Sequence, residues 1–517
     1  MIDVIIIIGY FVGIMLIGVL SRNKSTEVSA DEYFLSSRSL KWPSIAISTI
    51  STNIHAGHFL GMMGSAYLYG LAQAGLEINA IFGILVATFF FVPLYLKLKV
   101  TTISQFFEGK FGPRVAVAYS GLSMLLFSTL YLGSTLYWGA YAVDALFGEN
   151  LVFISTDAMT RICVLLAALG IFSAVYTWLG GLTAVVRTDI VQFVLLLVGG
   201  CILLYLAIDK LGGIDQLWKK TPQLMHLHLP ADHPKLPWTA VFSMLLLNLN
   251  YWGCNQVILQ RALAAKDLKN AQIGLLVGGV LKYFMAAIII IPGIALAGLL
   301  IDNPLADPDK SFVTLVNMLL PQGLRGIILV GLFASLMSSV DSMFNSLSTL
   351  WSIDIYKRYI NPKATDAQVI NKGKMAIVSC LISGCLFGFL LAYVKFSSPE
   401  LALTHWFNDI SFYIKNGFVV LICSAVFMVR PNKNLVFAAL FTSIVICLGL
   451  KYTFPAMAYF NRSMYTILLT LSMVGIPTIM KNGWRLPNKI IHASSSKVAW
   501  SGVALLISWL ILHVIFH

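Results

Sequence analysis

Long apolar segments recur along the whole chain, and two of them are interrupted near their middle by short polar clusters. The first cluster is Ser51–His58 (STNIHAGH), and the second, much later in the chain, is Asn248–Gln256 (NLNYWGCNQ). Lipid offers the peptide backbone no hydrogen-bond partners, so a polar break inside a spanning helix is tolerated only where it lines a cavity. Two such breaks, one in each half of a chain, indicate a binding site near the bilayer midplane. The sequence therefore predicts a membrane transporter with its solute site at the two breaks.

The composition supports a single polytopic membrane domain rather than several soluble domains. The chain has 517 residues, of which 58% are hydrophobic and 11% charged. Segment length and hydropathy predict an all-α protein with about fourteen transmembrane helices. The predicted spans lie near 3–20, 44–69, 75–97, 116–145, 152–177, 181–208, 237–263, 271–301, 322–358, 370–394, 402–428, 433–452, 461–480 and 497–516.

The net charge of +13 is a topology signal. Lys and Arg are concentrated in the connections on one side of the predicted membrane, as at Lys97, Lys99, Lys110 and Arg114. The positive-inside rule makes that side cytoplasmic, so both termini are expected outside, in the extracellular or periplasmic space. Nucleic acid is not an expected partner.

Two groups of five spans give the predicted internal organisation. The first repeat is 43–208 and the second is 236–428, each beginning with a broken helix. Because five is odd, the second repeat enters the membrane from the opposite side, which is the pattern of inverted repeats. Peripheral helices are expected at 1–21 and at 433–517.

A serine-rich face follows in the second half. Ser335, Ser338, Ser339 and Ser342 are three or four residues apart and share one side of a helix. Their hydroxyls, with carbonyl groups freed at the first break, are the oxygen ligands that a hard cation such as sodium prefers. Close helix packing by small residues is an equally weighted explanation.

Charged residues within apolar segments are further candidates for a site. Glu77, Lys282, Asp341 and Lys415 lie at or inside predicted spans. Charges in a span usually face a cavity, although long side chains near helix ends also extend to the interface. The pattern does not decide whether Lys415 faces the cavity or pairs with an acid.

The second break combines aromatic and amide side chains. Tyr251 and Trp252 stand beside Asn248, Asn250 and the pair Asn255–Gln256. Aromatic faces stack on the C–H surfaces of sugar rings, while amides hydrogen-bond hydroxyl groups. This combination favours a neutral polyol, and core or interfacial aromatics remain the alternative.

Several motifs resemble those of the sodium–glucose cotransporters in the solute:sodium symporter family, over essentially the whole chain. They are Asn53–Gly61 (NIHAGHFLG), Tyr251–Lys266 (YWGCNQVILQRALAAK), Gly180–Leu182 with Thr188–Asp189, and Phe333–Ser339 with Asn345 and Asp354–Tyr356. The resemblance implies a LeuT-like core of five-plus-five inverted repeats.

The resemblance also implies particular site residues. Sodium ligands are the backbone oxygens of Ser51, Ile54 and Ser335 and the hydroxyls of Ser338 and Ser339. Solute contacts are Asn53, His58, Glu77, Asn79, Asn248, Tyr251, Trp252, Lys282 and Asn408. Asp189 is expected near the inner sodium exit, with an ordinary helix-capping acid as the alternative, and Asp341 with Ser342 leaves a second sodium site open.

Departures from the family pattern bear on the substrate. Asn408 replaces a glutamine, and a proline-containing turn becomes Lys415–Gly417. Asp341 replaces a small or hydroxylated residue of many glucose carriers, whereas inositol carriers have an acid there.

The sequence therefore predicts a sodium-coupled symporter that imports a glucose- or galactose-like monosaccharide by alternating access. Alternatives are a sodium/myo-inositol or other sugar-derivative symporter, and a sodium- and sugar-gated sensor without transport. An enzyme using His55, His58 or Asp341 is not favoured, because no paired acid–base or nucleophile motif accompanies them. Sodium is the expected co-transported ion, with no organic cofactor. The expected setting is the plasma membrane (the inner membrane in a bacterium), as a monomer or weak homo-oligomer.

Overall fold

The computed structural model describes residues 2–20, 29–398, 403–483 and 491–517, and within them the chain is all-helical apart from two isolated β-bridges. The predicted boundary at residue 21, together with residues 1 and 484–490 of the predicted terminal segments, lies outside the described residues.

The N-terminal part consists of helices joined by short turns, and several long helices contain a π-helical turn. Its helices are Ile2–Leu20, Ala30–Leu35, Trp42–Asn53, His58–Met62, Met63–Tyr69, Gly75–Ile78, Ala80–Val86, Ala87–Phe91, Val92–Leu98, Ile103–Phe111, Pro113–Leu125, Leu126–Tyr131, Leu132–Phe147, Ala158–Leu211 and Asp215–Lys220, with 3-10 turns at Ser36–Arg38, Gly70–Ala74, Gly148–Leu151 and Pro222–Leu224.

The C-terminal part has longer and less interrupted helices. They are Ala240–Gly253, Gln256–Leu263, Leu268–Leu299, Ser311–Leu319, Leu324–Thr349, Leu350–Ile360, Asp366–Ser397, Leu403–Phe427, Lys433–Thr453, Tyr459–Asn482 and Ser496–Ile515, with a 3-10 turn at Pro308–Lys310.

Ten helical stretches among the described residues are long and apolar enough to cross a membrane. They are His58–Leu98, Pro113–Leu151, Ala158–Leu211, Leu268–Leu299, Leu324–Ile360, Asp366–Ser397, Leu403–Phe427, Lys433–Thr453, Tyr459–Asn482 and Ser496–Ile515.

The first polar cluster does interrupt a helix. Trp42–Asn53 ends at Ile54, whose backbone is extended (φ −93°, ψ 121°). Ile54 and His55 lie outside helical structure, and the chain then turns back into a helix that continues to Tyr69. We call this unit the first broken helix; its unwound residues leave carbonyl groups without helical partners.

The second polar cluster also contains a break. Ala240–Gly253 stops at Cys254, and the side chain of Asn255 caps the next helix by accepting a hydrogen bond from the backbone N–H of Val257 at 3.0 Å. Asn is a favoured N-cap residue because its side chain satisfies a backbone donor that the helix cannot. The freed carbonyl of Gly253 accepts from the hydroxyl of Tyr95 at 2.5 Å. These two halves form the second broken helix.

The 54-residue helix Ala158–Leu211 is bent at Gly181. The backbone of Gly181 has φ +57°, and a Cβ built there would lie 2.5 Å from the carbonyl oxygen of Tyr33. Only glycine adopts such a conformation at little cost and leaves room for this approach. The bend falls at the first residue of the predicted span 181–208, just after the predicted span 152–177.

The centre of the molecule is the helix Leu324–Thr349, which continues as Leu350–Ile360. In its most apolar window 94% of residues are buried, against 17% for Ser496–Ile515 at the periphery. Small residues let the long bent helix approach it closely, since a Cβ on Gly331 would lie 3.1 Å from the carbonyl oxygen of Leu195. We call Leu324–Thr349 the serine helix.

Candidate functional site

The two broken helices meet at a cavity of about 180 Å³. Its lining combines amides, charged groups and aromatic rings from seven different parts of the chain. The lining residues are Asn53, His55, Gly57, His58, Met62, Leu76, Glu77, Ala80, Tyr131, Ser134, Trp138, Met244, Leu247, Asn248, Tyr251, Trp252, Lys282, Thr404, Phe407, Asn408, Phe412, Lys415 and Phe460.

A buried ion pair stands on the wall of this cavity. The ammonium of Lys282 contacts the carboxylate of Glu77 and also donates to the amide oxygen of Asn53. His58 Nε2 lies 3.7 Å from the other carboxylate oxygen of Glu77. Lys282 is 2% exposed and Glu77 5% exposed, so bulk water solvates neither charge. Each buried charge is therefore stabilised mainly by the other.

The two broken helices are joined across the cavity by side chains. The amide nitrogen of Asn53 donates to the hydroxyl of Tyr251 at 2.7 Å. Asn248 donates to the backbone of Met244 at 2.8 Å, which leaves its amide oxygen as an acceptor. The indole N–H of Trp252 is buried and has no hydrogen-bond partner among the described residues. These groups are suited to binding hydroxyl groups of a small solute.

Most of the predicted solute contacts line the cavity, but Asn79 does not. Its amide oxygen accepts from the indole N–H of Trp509 at 3.2 Å and lies 3.0 Å from His513 Nε2, on the C-terminal helix. The side chain is fully buried, and its amide nitrogen lies 3.6 Å from the sulfur of Met244, which does line the cavity. In this structure Asn79 joins the peripheral helix Ser496–Ile515 to the core.

The serine helix meets the first break. The hydroxyl of Ser339 donates to the carbonyl oxygens of Thr52 at 2.9 Å and of Ile54 at 3.3 Å. Ser335 donates to Leu332 within its own helix at 2.8 Å, and the hydroxyl of Ser51 is buried without a partner among the described residues. Neutral oxygens concentrated at an unwound helix are the ligand type that a hard cation takes.

Ser338 points towards a buried charged network around Asp189. Its hydroxyl donates to one oxygen of Asp189 at 2.5 Å, and Ser48 donates to the other. The guanidinium of Arg261 lies 3.6 Å from Asp189 and donates to Ser48 at 3.0 Å and to Ser342. All five residues are fully buried. Asp189 is thus part of an internal charged network and not a helix-capping acid at the surface.

Asp341 and Ser342 extend that network to Tyr176 and Thr52. One oxygen of Asp341 accepts from the hydroxyl of Tyr176 at 2.6 Å, and the other has no hydrogen-bond partner among the described residues. Ser342 and Thr52 are joined by a hydrogen bond of 2.8 Å. Asp341 does not line the cavity, so an acid at this position does not touch a solute bound there in this conformation.

Several lining residues are absent from the sequence-based set. Tyr131 and Trp138 come from the apolar stretch Pro113–Leu151, where aromatic residues gave no signal distinct from core packing. Lys415, which the sequence left undecided, faces the cavity together with Phe412. Its signal was a charge inside an apolar segment, and only the fold could place it.

The chain matches known sodium-coupled transporters over most of its length. The profile of the sodium:solute symporter family covers residues 33–443. A sodium/glucose cotransporter of Vibrio parahaemolyticus is 29% identical over 507 residues, covering 92% of this chain and 90% of the relative. Sodium/glucose cotransporter 4 of Mus musculus is 30% identical over 500 residues, covering 89% of this chain and 71% of the relative.

Solved structures agree on the fold. A sodium-coupled sialic acid symporter in a substrate-bound outward-open state has a TM-score of 0.80 at 20% identity, covering 93% of this chain and 98% of that chain. The nucleobase-cation-symport-1 transporter MHP1 has a TM-score of 0.50 at 13% identity, covering 91% of this chain and 98% of that chain. The fold is LeuT-like, and the protein is a multi-pass membrane protein. Taken with the profile match over 33–443, these likenesses mean that the chain belongs to the sodium:solute symporter family.

Proposed function

We propose that the protein imports a monosaccharide or a related hydroxyl-rich solute together with sodium. The observation that carries this proposal is the meeting of both broken helices at one cavity, beside the contact between Ser339 and the unwound carbonyl groups. Relatives named as sodium/glucose cotransporters support the solute class.

In this proposal sodium binds between the first broken helix and the serine helix. Its ligands are the backbone oxygens of Ser51, Ile54 and Ser335 and the hydroxyls of Ser338 and Ser339. The contacts of Ser339 with Thr52 and Ile54 support the position, because a cation there replaces hydroxyl–carbonyl hydrogen bonds with direct coordination. Asp189, Asp341 and Ser342 form an inner polar network. This network either binds a second sodium ion or lines the path by which the first one leaves.

The solute occupies the adjoining cavity. Asn53, His58, Glu77, Asn248, Tyr251, Trp252, Lys282 and Asn408 contact it. Tyr251 closes the inner side, supported by its hydrogen bond to Asn53 across the two broken helices. Rocking of one helical repeat against the other then exposes the site to the cytoplasm. One sodium ion moving down 100 mV supplies about 2.3 kcal/mol for accumulation.

The finer topology is also part of the proposal. A helix of 54 residues would be about 80 Å long, far more than the hydrocarbon thickness of a bilayer, so Ala158–Leu211 crosses twice with Gly181 at the turn. The half-helices of both broken segments and the N-terminal helix Ile2–Leu20 add further crossings. About fourteen spans with both termini outside follow from this count and from the positive-inside rule. The repeats are 43–208 and 236–428.

A thermal-shift screen tests the proposal. Purified full-length protein is melted with D-glucose, D-galactose, myo-inositol, D-glucuronate or D-galacturonate, in sodium chloride and in choline chloride. We expect stabilisation by at least one of these solutes that requires sodium, because the two ligands support each other's sites. Stabilisation that is equal with and without sodium contradicts coupled binding.

A further inference from the structure

The helix Leu403–Phe427 presents one face to the cavity. Thr404, Asn408, Phe412 and Lys415 are spaced three or four residues apart and all line it. Asp409, the residue after Asn408, does not line the cavity. Its carboxylate pairs with Arg462 and lies 3.3 Å from Lys451. The acid nearest to Lys415 on its own helix is therefore already neutralised outside the cavity.

The ammonium of Lys415 is surrounded by aromatic rings. It lies 4.9 Å from the ring centre of Tyr131 and 5.2 Å from that of Phe412, and the residue is 8% exposed. No carboxylate of the described residues lies within 4.0 Å of it. Cation–π contact offsets only part of the cost of removing an ammonium from water.

The charges that line the cavity do not balance. Glu77 is the only carboxylate among the described lining residues, and it is paired with Lys282. With both lining histidines neutral, the ammonium form of Lys415 places one uncompensated positive charge beside the solute. A buried ammonium without a partner is strongly unfavourable, and a ligand of opposite charge in the cavity would supply the missing partner.

We propose that the transported solute is a sugar acid and that Lys415 binds its carboxylate. This inference rests on the proposed function and narrows its solute class. A carboxylate carries one negative charge and accepts the ammonium donors that the two rings leave free. A phosphate monoester carries about −1.5 to −2 and would leave excess negative charge in the cavity. The amides of Asn53, Asn248 and Asn408 remain available for the sugar hydroxyls.

Binding measurements on purified full-length protein in sodium chloride test this assignment. D-Glucuronate and D-galacturonate are compared with D-glucose, D-galactose and glucose 6-phosphate. We expect each uronate to bind at least about tenfold more tightly than the hexose of the same ring configuration, the effect of one charge-assisted hydrogen bond. Equal or tighter binding of the neutral hexoses overturns the inference, as does tighter binding of the phosphate ester.

Three variants test whether Lys415 causes the preference for uronates over neutral hexoses. Lys415→Met keeps the length of the side chain and removes the charge, so the preference for uronates should disappear while binding of neutral hexoses is retained or improved. Lys415→Arg should keep the preference, and Lys451→Met, which removes a positive charge paired with Asp409 outside the cavity, should leave it unchanged. An unchanged preference in Lys415→Met assigns Lys415 to helix packing and overturns its role. If that variant does not fold, the wild-type comparison and Lys415→Arg still decide.

Failure of this inference is distinguishable from failure of the proposed function. Sodium-dependent binding of neutral hexoses alone removes the sugar acid and leaves the symporter. Binding of every probe without any dependence on sodium contradicts both.

Discussion

The hydroxyl of Ser339 lies 3.3 Å from the carbonyl oxygen of Ile54, at the point where the first broken helix unwinds. It brings a side-chain oxygen of the serine helix to a backbone oxygen released by the break. A cation placed between these groups is held by two segments far apart in sequence, so binding it couples their positions. That coupling is the physical basis proposed here for linking sodium to solute.

Replacing Ser339 by Ala should raise the sodium concentration needed for half-maximal uptake. We expect roughly a tenfold increase, equivalent to about 1.4 kcal/mol for one lost oxygen ligand. Solute uptake at saturating sodium should change little. Ser352→Ala is the matched control, because Ser352 bonds within the same continuous helix to Ser348 at 2.7 Å, away from the break. Unchanged sodium dependence in Ser339→Ala contradicts the cation site.

The pair Glu77–Lys282 should behave as a unit. Glu77→Gln or Lys282→Met each leaves one buried charge unpaired, which costs about 3–5 kcal/mol, so each variant should melt at a lower temperature. The double variant should recover much of the stability and still fail to bind solute. Glu108→Gln, which breaks an exposed pair with Arg358, should change stability by less than about 1 kcal/mol. Normal uptake by either single variant would remove that residue from the site.

Gly181→Ala should destabilise the protein. A residue with a side chain at φ +57° is strained by about 1–3 kcal/mol, and the new methyl group would meet the carbonyl oxygen of Tyr33. The yield of folded protein and its melting temperature should both fall. Gly121→Ala, in the middle of a helix with nothing within 4 Å of the added carbon, should be neutral or slightly stabilising. Equal melting temperatures for the two variants would contradict the strain at the bend.

The locations of both breaks could be predicted from the sequence, although their extent could not. The polar run Ser51–His58 marks the first break, but Ser51, Thr52 and Asn53 are still helical and only Ile54 and His55 are not. Polar side chains signal a wet environment, whereas the residue at which the helix stops depends on which carbonyl groups find other partners. At the second break those partners include Tyr95, more than a hundred residues earlier in the chain.

The direction in which particular side chains point also could not be predicted from the sequence. Asn79 has the residue type of a solute contact, yet packing of the C-terminal helix brings Trp509 and His513 to it. Asp341 is one residue from Ser342 on the serine helix, and its partner Tyr176 lies on the long bent helix. Neither contact has a local sequence signature, because each depends on which helices become neighbours.

The loop that contains Asp309 should make stability depend on pH. Asp309 lies between the spans Leu268–Leu299 and Leu324–Ile360, is 5% exposed and accepts a hydrogen bond from Lys395 at 3.0 Å, with Asp307 3.5 Å from the same ammonium. Burial, only partly opposed by Lys395, raises the pKa of Asp309 from 3.8 to about 6. Between these values the folded protein holds a proton that the unfolded chain has released, so this contribution to stability falls as pH rises.

The comparison with Asp309→Asn isolates that effect. The wild type should lose roughly 2 kcal/mol relative to the variant between pH 4 and pH 7, with most of the change below pH 6. Melting temperatures of both proteins across this range provide the measurement. A difference that stays constant with pH would mean that Asp309 titrates normally.

Accumulation of labelled solute in proteoliposomes shows whether sodium entry drives solute import through the cavity at the two breaks. Purified protein is reconstituted, and uptake of labelled D-glucose and D-glucuronate is followed with an inward sodium gradient and with equal sodium on both sides. We expect at least one solute to rise above its outside concentration only with the gradient, and Lys282→Met to abolish this rise. Uptake that never exceeds equilibrium, or that is the same under both conditions, would contradict sodium-driven import.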